Sequence, residues 1–322
     1  NMASNITASA TRLAISHKDT FLSYLPLCHS FERMAGYYTP LACGATIAYA
    51  ESIESVRENI FEVRPTLMAS VPRMFERMHH KIMKRVEVQP EFKQKLFWWS
   101  IDVGKKYQQV KKARSISPLL RAKRILADRL VYRKLKAETG GRLRFFVSGG
   151  AALAPVLGEF FDAIGLPIIE GYGLSESSPV ISVNTLHDYK FGSVGKPIPG
   201  VEVMIAPDGE ILARGPNIMK GYWNNPQATC EVIDKEGWLH TGDIGEFTGD
   251  GYLRITDRKK HLFVSSGGKN IAPQPIENLF LNNKFIDQFI LIGDGRMYCT
   301  ALIVPHFDLL RDRMRQSNGR AD

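Results

Sequence analysis

The sequence predicts an α/β fold with about two domains, and three observations lead to this class. Short apolar segments that read as strands, such as residues 21–27 and 66–71, alternate with helix-like segments in the first half of the chain. From residue 190 onward, short strands are separated by glycine turns, a texture typical of a small β-barrel or sandwich. The 322 residues, of which 44% are hydrophobic, suffice for buried cores.

A basic block interrupts the strands of the first half. Residues 73–144 contain 21 Lys and Arg against 6 Asp and Glu, a charge of +15. The other residues hold 21 basic and 27 acidic side chains, so the net charge of +9 arises from this block alone. A localised charge of this kind indicates one basic surface on an otherwise mildly acidic protein.

The basic block is predicted to form a helical hairpin. In its first half, apolar residues recur every three or four positions and share one helix face: Phe92, Leu96, Trp99, Val103, Tyr107 and Val110. Ser117-Pro118 begins a second helix, since proline suits the first helical turn, and Gly140-Gly141 ends it. Apolar residues lie along one side of this second helix, with basic residues around the rest: Leu119, Ala122, Leu126 and Leu130.

The segments after the block return to the alternating pattern. A strand at residues 143–147 leads into the small-residue turn SGGAA at 148–152. Pro155 then starts a helix that extends to about residue 164. A further strand at 167–170 leads into Gly171-Tyr172-Gly173.

The last third is predicted from its turns. Two β-hairpins are expected around residues 207–209 and 249–251, because Pro-Asp-Gly and Gly-Asp-Gly favour tight turns. Beyond Lys260 the pattern is mixed, with a glycine turn at 267–268, a helix near 275–281 and a strand pair within 289–304.

Several classes of protein are excluded by what the sequence lacks. No stretch approaches about 18 uninterrupted apolar residues, so a membrane-spanning helix is not expected. The first five residues have neither a basic start nor an apolar stretch, so we expect no signal peptide. The four cysteines lie far apart without a C-x-x-C pair, which favours reduced thiols in the cytoplasm over disulfides or a zinc ribbon.

Two glycine-rich runs approach known nucleotide motifs without matching them. The run GYGLSE at residues 171–176 has Glu176 where a dinucleotide fingerprint needs its third glycine. The run SGGK at 266–269 lacks the upstream glycine and the Ser or Thr after lysine that a Walker loop requires. Taken alone, each run would be a plain turn.

Taken in order, however, the motifs resemble the signature set of the adenylate-forming superfamily, which includes acyl-CoA synthetases, firefly luciferase and peptide-synthetase adenylation domains. The series comprises GGA at 149–151, YGLSE at 172–176, GWLHTGD at 237–243 and DRKK at 257–260. Further runs similar to this family are LPLCHSFE at 25–32, GEILARGP at 209–216 and GYW at 221–223. The resemblance extends over nearly all 322 residues.

The resemblance implies an adenylate-forming fold in three parts. Residues 1–188 would form an α/β layered subdomain of the large N-terminal domain, with the hairpin at 73–144 as an insertion. Residues 189–259 would form a small β-barrel, and residues 260–322 the beginning of a small α+β C-terminal domain.

The resemblance also implies which residues bind ATP. The nucleotide-binding set is Gly149, Gly150, Ala151, Tyr172, Gly173, Asp243 and Arg258. Small residues at 149–151 would let the backbone approach the purine, and Tyr172 would stack on the adenine ring. Asp243 would accept hydrogen bonds from both ribose hydroxyls, and Arg258 would donate to ribose or phosphate oxygens.

The remaining implied residues serve catalysis and the other substrates. The Ser175 hydroxyl would donate to a phosphate oxygen, and Glu176 would hold Mg²⁺ against the phosphates. Lys260 matches the hinge about which the small domain rotates between two half-reactions. His29 would border the acyl site, and two residues would lie near CoA, Gly267 and Lys269. Each role has an alternative. Glu176 and Asp243 would be solvated loop acids or helix caps, and His29 would be a loop histidine with its hydrogen bonds satisfied. Gly267 and Lys269 would form a tight turn with a solvated lysine.

The basic hairpin points to the class of acid. Its Phe97-Trp98-Trp99 segment resembles an insertion of long-chain fatty acyl-CoA synthetases, so the predicted reaction converts fatty acid, ATP and CoA into acyl-CoA, AMP and pyrophosphate. The first alternative is transfer of the acyl group to a carrier protein, and the second is a membrane-docking module with an inactive nucleotide site. The block at 73–144 would also suit peripheral contact with an anionic membrane at its inner face, and the alternative is a solvated helix face with no partner. Nucleic-acid binding is not expected, since no nucleic-acid motif accompanies the charge.

Two expected features of the family are absent from the sequence. The Ser/Thr/Gly-rich phosphate loop would precede Asn1, and the lysine that contacts the substrate carboxylate would follow Asp322. We therefore expect a fragment, truncated at both ends, of an enzyme that is active only as the longer protein.

Overall fold

The computed structural model describes residues 1–112, 116–264, 270–281, 283 and 285–316, and the chain divides into two units. The first unit comprises Asn1–Val203, Ala213–Leu239 and Thr248–Arg254. The second comprises Met204–Leu212, His240–Phe247 and Ile255–Asp322. The domain boundaries predicted from the sequence, after residues 188 and 259, remain predictions.

The strands follow the predicted alternation. In chain order they are β1 Thr20–Ser23, β2 Thr46–Tyr49, β3 Leu67–Ser70, β4 Phe145–Ser148, β5 Ile168–Gly173, β6 Val180–Val183, β7 Lys196–Pro197, β8 Glu202–Ile205, β9 Glu210–Arg214, β10 Leu239–Phe247, β11 Leu253–Arg258, β12 Phe263–Val264, β13 Asn270–Ile271, β14 Ile286–Ile292 and β15 Thr300–Pro305.

Helices connect most of these strands. They are α1 Met2–Leu13, α2 Ser30–Glu32, α3 Thr39–Ala42, α4 Val56–Val63, α5 Pro72–Glu87, α6 Glu91–Lys112, α7 Pro118–Ala127, α8 Arg133–Ala137, α9 Pro155–Ile164, α10 Pro226–Val232, α11 Pro273–Leu281 and α12 Phe307–Gln316. Two π-helical segments, Arg33–Tyr38 and Asp128–Tyr132, join α2 to α3 and α7 to α8.

A seven-stranded sheet organises the first unit, in the order β2-β1-β3-β4-β5-β6-β7. Its first five strands are parallel, whereas β5–β6 and β6–β7 are antiparallel. Edge-to-face contacts join Phe75 to Phe146 and Phe161, with centroid distances of 5.2 and 5.9 Å. These three rings are buried between α5, β4 and α9, so helices and sheet share one core as the α/β class predicts.

The predicted helical hairpin is confirmed in outline, because α6 and α7 occupy its two halves and the Ser117 hydroxyl caps α7. The stripe predicted on α6 is partly wrong. Phe92 is 67% exposed, whereas Phe97 and Ile101, outside the predicted stripe, are buried. Contact with α9 determines which face of α6 is buried, since Gly104 lies against the backbone of Ala163. The sequence period alone does not reveal this partner.

The last third contains the predicted hairpins and mixed elements. Strands β8 to β11 form a four-stranded sheet in the order β11-β10-β9-β8, where the sequence predicts the small β-barrel. Beyond Lys260 there are two small antiparallel sheets, β12–β13 and β14–β15. Helix α11 contacts the second of these through stacked rings of Phe280 and Phe289, 4.3 Å apart. The helix and the strand pair predicted after Lys260 are therefore confirmed, whereas the glycine turn predicted at 267–268 lies outside the described residues.

Close packing of α6 on α9 yields a stability prediction. A methyl group at Gly104 would overlap the carbonyl oxygen of Ala163. We expect Gly104→Ala to reduce the free energy of unfolding by about 1–3 kcal/mol, because the two helices would have to separate. Thermal unfolding measures this loss. The matched control is Gly249→Ala, where nothing lies within 4 Å of the new methyl group, and an equal loss there would contradict the packing argument.

Candidate functional site

The predicted purine-binding segments lie at one edge of the seven-stranded sheet. Strands β4 and β5 are parallel neighbours, with Phe146 paired to Ile168 and Ser148 to Glu170. Residues 149–151 and 171–173 follow these pairs, so both segments lie at the carboxyl ends of adjacent strands. In open α/β sheets this edge is where ligands bind. Tyr172 is only 8% exposed, and Gly150 has a φ of +81° that favours glycine.

Gly149 lies in close contact with another segment of the protein at the turn after β4. A methyl group there would lie 3.0 Å from two ring carbons of Phe31. The sequence predicts a small residue here for close approach of a purine. The structure adds a steric reason that needs no ligand: the Phe31 ring lies against this turn and so joins residues 25–32 to it.

Gly173 is also required by the protein itself. A methyl group at this position would overlap the carbonyl oxygen of Pro179. The Leu174 N–H donates to the same carbonyl at 3.1 Å, which fixes the tight connection between β5 and β6. This connection carries the predicted catalytic residues Ser175 and Glu176 in a single 3₁₀ turn.

The turn holding Ser175 and Glu176 is positioned by two other segments of the first unit. The hydroxyl oxygens of Ser30 and Ser175 are 3.1 Å apart, which connects the turn to α2. The Tyr222 hydroxyl donates to Glu176 Oε1 at 2.9 Å, and the Met219 N–H donates to the Glu176 carbonyl at 2.7 Å. Glu176 is therefore a half-buried, oriented carboxylate.

His29 caps the short helix α2. Its Nδ1 accepts a hydrogen bond from the Phe31 N–H at 3.2 Å, and the residue is exposed. This contact requires the neutral ring to carry its proton on Nε2. The capping contact is the satisfied-histidine alternative considered above; whether His29 also borders an acyl group stays a prediction.

Glu32 anchors the same segment to the sheet. Its carboxyl group is fully buried and accepts a hydrogen bond from the Ser23 hydroxyl of β1 at 2.5 Å. Burial raises the pKa of Glu32 to about 7, although the hydrogen bonds from Ser23 and the Tyr24 backbone oppose this shift. The carboxyl group therefore holds residues 29–32 in place beside Gly149 and Ser175.

Glu170 connects the loop after β4 with the end of β5 from inside the protein. It is buried on β5, and the Leu153 N–H donates to its carboxyl group. Burial raises the pKa of Glu170 to about 8, so the carboxyl group is largely protonated at neutral pH. It thereby ties the loop after β4 to the strand that carries Tyr172.

In the second unit, the structure brings two predicted nucleotide-binding residues together. Arg258 Nε lies 3.4 Å from Asp243 Oδ1. Asp243 is buried, whereas most of the Arg258 side chain is exposed. The Asp243 N–H donates to Thr241 Oγ1 at 3.2 Å, and this hydroxyl donates to the Ile211 carbonyl at 2.7 Å. The carboxylate is thus held on β10 with a guanidinium group beside it.

Glu210 is the buried centre of this region. Its carboxylate accepts from the Gly242 N–H at 2.9 Å and from Lys259 Nζ at 2.9 Å, and it lies 3.2 Å from His240 Nδ1. Burial alone would raise the pKa of Glu210, but the contacts with Lys259 and His240 hold it below its usual value. This carboxylate positions the strand residue that precedes Asp243.

The predicted hinge residue, Lys260, comes directly after Lys259 in the chain. Lys259 also forms an ion pair of 2.7 Å with Asp208, whereas Lys260 is exposed in the 3₁₀ turn Lys259–His261. The predicted CoA residues Gly267 and Lys269 lie outside the described residues.

Sequence reasoning missed several residues that shape these sites: Phe31, Glu32, Glu170, Glu210, Tyr222 and Lys259. Each of these residues belongs to one of the family-like motifs or lies next to one, so the motifs already indicated the segments that contain them. The contact between Tyr222 and Glu176 joins residues 46 positions apart, and no local pattern indicates such a pairing.

Glu176 is the carboxylate that the sequence predicts as a ligand of Mg²⁺. Among the described residues, no three His, Cys, Asp or Glu side chains form a group suited to holding a metal ion. Mg²⁺ usually keeps several waters and takes one or two protein carboxylates besides substrate phosphates. The oriented Glu176 carboxylate fits that requirement.

Further features bear on other predicted properties. No helix in the described parts of the chain is both long and apolar enough to cross a membrane. The four cysteines, all of them described, form no disulfide.

Comparison with known families and proteins adds independent findings. The family described as AMP-binding enzyme matches residues 1–223, and the AMP-binding enzyme C-terminal domain matches residues 260–317. Long-chain-fatty-acid–CoA ligase FadD15 of Mycobacterium bovis is 38% identical over 288 residues, covering 88% of this chain and 47% of the relative. Long chain acyl-CoA synthetase 6, peroxisomal, of Arabidopsis thaliana is 36% identical over 310 residues, covering 92% and 43%. The chain spans about half the length of the curated relatives it matches.

Solved structures show the same fold. o-Succinylbenzoate CoA synthetase (MenE) from Bacillus subtilis, in complex with an acyl-adenylate intermediate, gives a TM-score of 0.70 at 22% identity over 99% of this chain and 58% of that protein. ATP-bound MatB from Rhodopseudomonas palustris gives 0.70 at 22% identity, over 100% and 55%. The α/β adenylate-forming fold predicted from the sequence is confirmed.

The buried Glu170 carboxyl leads to a prediction about pH and stability. Its pKa rises from 4.5 to about 8 on folding, so the folded protein binds the extra proton between these values. Stability from this group is complete below pH 4.5 and is lost as the pH rises towards 8. Glu170→Gln keeps an acceptor for Leu153 without the titration. As the pH rises across this window, we therefore expect the free energy of unfolding of Glu170→Gln to increase relative to that of the natural protein. The increase should be at most about 1.4 kcal/mol per pH unit.

Unfolding midpoints measured from pH 4 to pH 9 test this prediction. Exposed Glu62 provides the matched control, and Glu62→Gln should follow the natural protein at every pH. A constant gap between Glu170→Gln and the natural protein would show that Glu170 does not change protonation on folding.

Proposed function

The chain belongs to the AMP-binding enzyme family, and from this premise we propose that it is the central and C-terminal part of an AMP-forming long-chain fatty acid–CoA ligase. The observation that carries the proposal is the 38% identity to a protein named long-chain-fatty-acid–CoA ligase, maintained over 88% of this chain. Solved neighbours hold ATP or an acyl-adenylate, which supports ATP as the activating substrate.

The proposed reaction has two steps. A carboxylate oxygen of the fatty acid attacks the α-phosphorus of ATP, and pyrophosphate leaves, giving an acyl-adenylate. The CoA thiolate sulfur then attacks the acyl carbonyl carbon, and AMP leaves with the bonding electrons of the acyl–oxygen bond. Both steps require an anionic nucleotide to be held rigidly with its charge offset.

In the adenylation step, the turn after β5 would act on the phosphates. Ser175 would donate its hydroxyl to a phosphate oxygen, and Glu176, oriented by Tyr222, would contribute a carboxylate ligand to Mg²⁺. The ion supplies charge neutralisation on the phosphates. Tyr172 would receive the adenine ring at the sheet edge, beside residues 149–151.

The remaining assignments concern ribose, acyl chain and CoA. Asp243 and Arg258 would bind ribose hydroxyls and phosphate or ribose oxygens, and their 3.4 Å contact supports a shared task. His29 would border the acyl group. Lys260 would be the hinge for the change between half-reactions, with Gly267 and Lys269 near CoA.

The main alternative differs from this proposal in the molecule that accepts the acyl group. A fatty acyl-AMP ligase would carry out the same first step and pass the acyl group to a carrier protein. The inactive-site alternative has no specific observation in its favour, since Glu176, Asp243 and Arg258 are all held by defined contacts. Location in the cytoplasm with peripheral contact of residues 73–144 with an anionic membrane is a further part of the proposal.

The first experiment uses the full-length protein with ATP, Mg²⁺ and free acids from short to long, with and without CoA. Mass spectrometry of the products should show long-chain acyl-CoA only when CoA is added. Acyl-adenylate that persists with CoA present would favour the carrier-protein alternative. Absence of both products would contradict ATP-dependent activation.

Two variants of the full-length protein test the residue roles. Glu176→Ala should reduce kcat for adenylation on the order of a hundredfold or more, because an oriented charged group at the phosphates is lost. Pyrophosphate exchange measures this step, and Glu62→Ala is the control at an exposed carboxylate.

Lys260→Pro should leave pyrophosphate exchange intact and block thioester formation, because proline restricts the φ rotation that a hinge requires. Lys260→Ala, which keeps that freedom, should retain both steps. Thioester formation by Lys260→Pro at the natural rate would place the hinge elsewhere.

A further inference from the structure

Two serine hydroxyls from distant segments meet at the edge of the seven-stranded sheet. Ser30 begins α2, and its Oγ lies 3.1 Å from Oγ of Ser175, which belongs to the 3₁₀ turn after β5. A hydroxyl group has one proton to donate and two lone pairs with which to accept, so only one of the two protons can lie between these oxygens. The pair therefore has a direction, and the other proton is left for a third group.

The direction follows from what Ser175 does in the proposed function, on which this inference rests. There, Ser175 donates its hydroxyl proton to a phosphate oxygen of ATP, so the proton between the two serine oxygens must come from Ser30. We propose that Ser30 is a positioning residue for Ser175: its O–H donates to Ser175 Oγ and so directs the Ser175 proton towards the phosphate. A hydroxyl that accepts one hydrogen bond is also a stronger donor, because hydrogen bonds in a chain polarise one another.

Ser30 is suited to this role because the residues that follow it are fixed. Glu32 is fully buried, and its carboxyl group accepts from the Ser23 hydroxyl at 2.5 Å. The Phe31 ring lies against the turn at Gly149, where an added methyl group would be 3.0 Å from two of its carbons. The Ser30 hydroxyl is therefore presented from a backbone that has little freedom to move.

Gly36 shows how closely the Glu32 side chain fits its surroundings. A methyl group at Gly36 would overlap Oε1 of Glu32. Gly36 is itself buried, in the π-helical segment Arg33–Tyr38 that continues α2. The segment after Ser30 is thus built around this carboxyl group.

The Ser175 side of the pair is fixed as well. Ser177 closes the same 3₁₀ turn and is fully buried, and its hydroxyl oxygen accepts from the Leu174 N–H at 2.9 Å. Asn217 Nδ2 donates to the Ser177 carbonyl at 3.0 Å. Both hydroxyls extend from rigid segments, so little ordering is needed when ATP binds.

Two other roles for the contact lead to different expectations. If Ser175 donated to Ser30, the Ser30 proton would face the phosphate, and Ser30 itself would touch the substrate. If the contact only held the turn in place, its loss would also displace the neighbouring Glu176. The proposed direction leaves Glu176 undisturbed, because Tyr222 and the Met219 N–H hold it independently.

The test is pyrophosphate exchange by the full-length protein at varied ATP and Mg²⁺. We expect Ser30→Ala to lower kcat about three- to tenfold, the effect of one neutral hydrogen bond, with the half-saturating Mg²⁺ concentration unchanged. Ser175→Ala should lose more, because the phosphate donor itself is removed. The double variant Ser30→Ala/Ser175→Ala should be no slower than Ser175→Ala, since Ser30 then has no hydroxyl to position.

Two further variants serve as controls. Ser30→Thr keeps the hydroxyl and should retain the natural rate. Ser52→Ala removes one member of another serine contact, in which Ser52 Oγ donates to Ser55 Oγ at 3.3 Å, and should leave exchange unchanged. Ser30→Ala and Ser175→Ala lose the same contact, so their thermal unfolding midpoints should agree, and the difference in kcat between them then reports on catalysis.

The possible failures lead to separate conclusions. Full activity of Ser175→Ala would contradict the role of Ser175 in the proposed function and this inference with it, whereas a loss in Ser175→Ala without one in Ser30→Ala would overturn this inference alone. A further loss on adding Ser30→Ala to Ser175→Ala would overturn it in favour of direct contact between Ser30 and phosphate. A raised Mg²⁺ requirement in Ser30→Ala would overturn it in favour of a purely structural contact.

Discussion

The parallel pairing of β4 with β5 is the constraint on which the first unit's candidate site depends. It places the turn after Ser148 and the segment after Glu170 at one sheet edge, because parallel strands end on the same side. The buried Glu170 carboxyl then joins the two segments through the Leu153 N–H. Without this register, Tyr172 and residues 149–151 would not share the surface to which we assign the purine in the proposed function.

Around that edge, residues of different motifs pack against one another and form hydrogen bonds with one another. Phe31 occupies the space that a side chain at Gly149 would need, and Pro179 does the same at Gly173. Ser30 reaches Ser175, and Tyr222 orients Glu176. Four motifs that are distant in the sequence are thus held together by direct contacts, which explains how a half-buried carboxylate keeps one direction. The second unit uses the same principle, with Glu210 holding the strand that carries Asp243.

The basic block contributes side chains to the core of the first unit. Phe97, Ile101 and Tyr132 belong to the same core as Phe146 and Phe161, so the block is part of the fold and not an appendage. Its outer face keeps the leucines of α7 and most of the positive charge.

Much of this protein was readable from sequence because it depends on local chemistry. Turn residues, the Ser117 cap and apolar periodicity determined the α/β class, the hairpins and the two helices of the basic block. Motif order indicated the family, and it predicts the site residues Tyr172, Glu176, Asp243 and Arg258, whose roles stay predictions. Tertiary structure alone decided which face of α6 is buried, that the leucines of α7 point outward, and which partners hold Glu170, Glu176 and Glu210. The physical reason is that burial and hydrogen bonding depend on segments distant in the chain, whereas periodicity reports only that a helix has an apolar side.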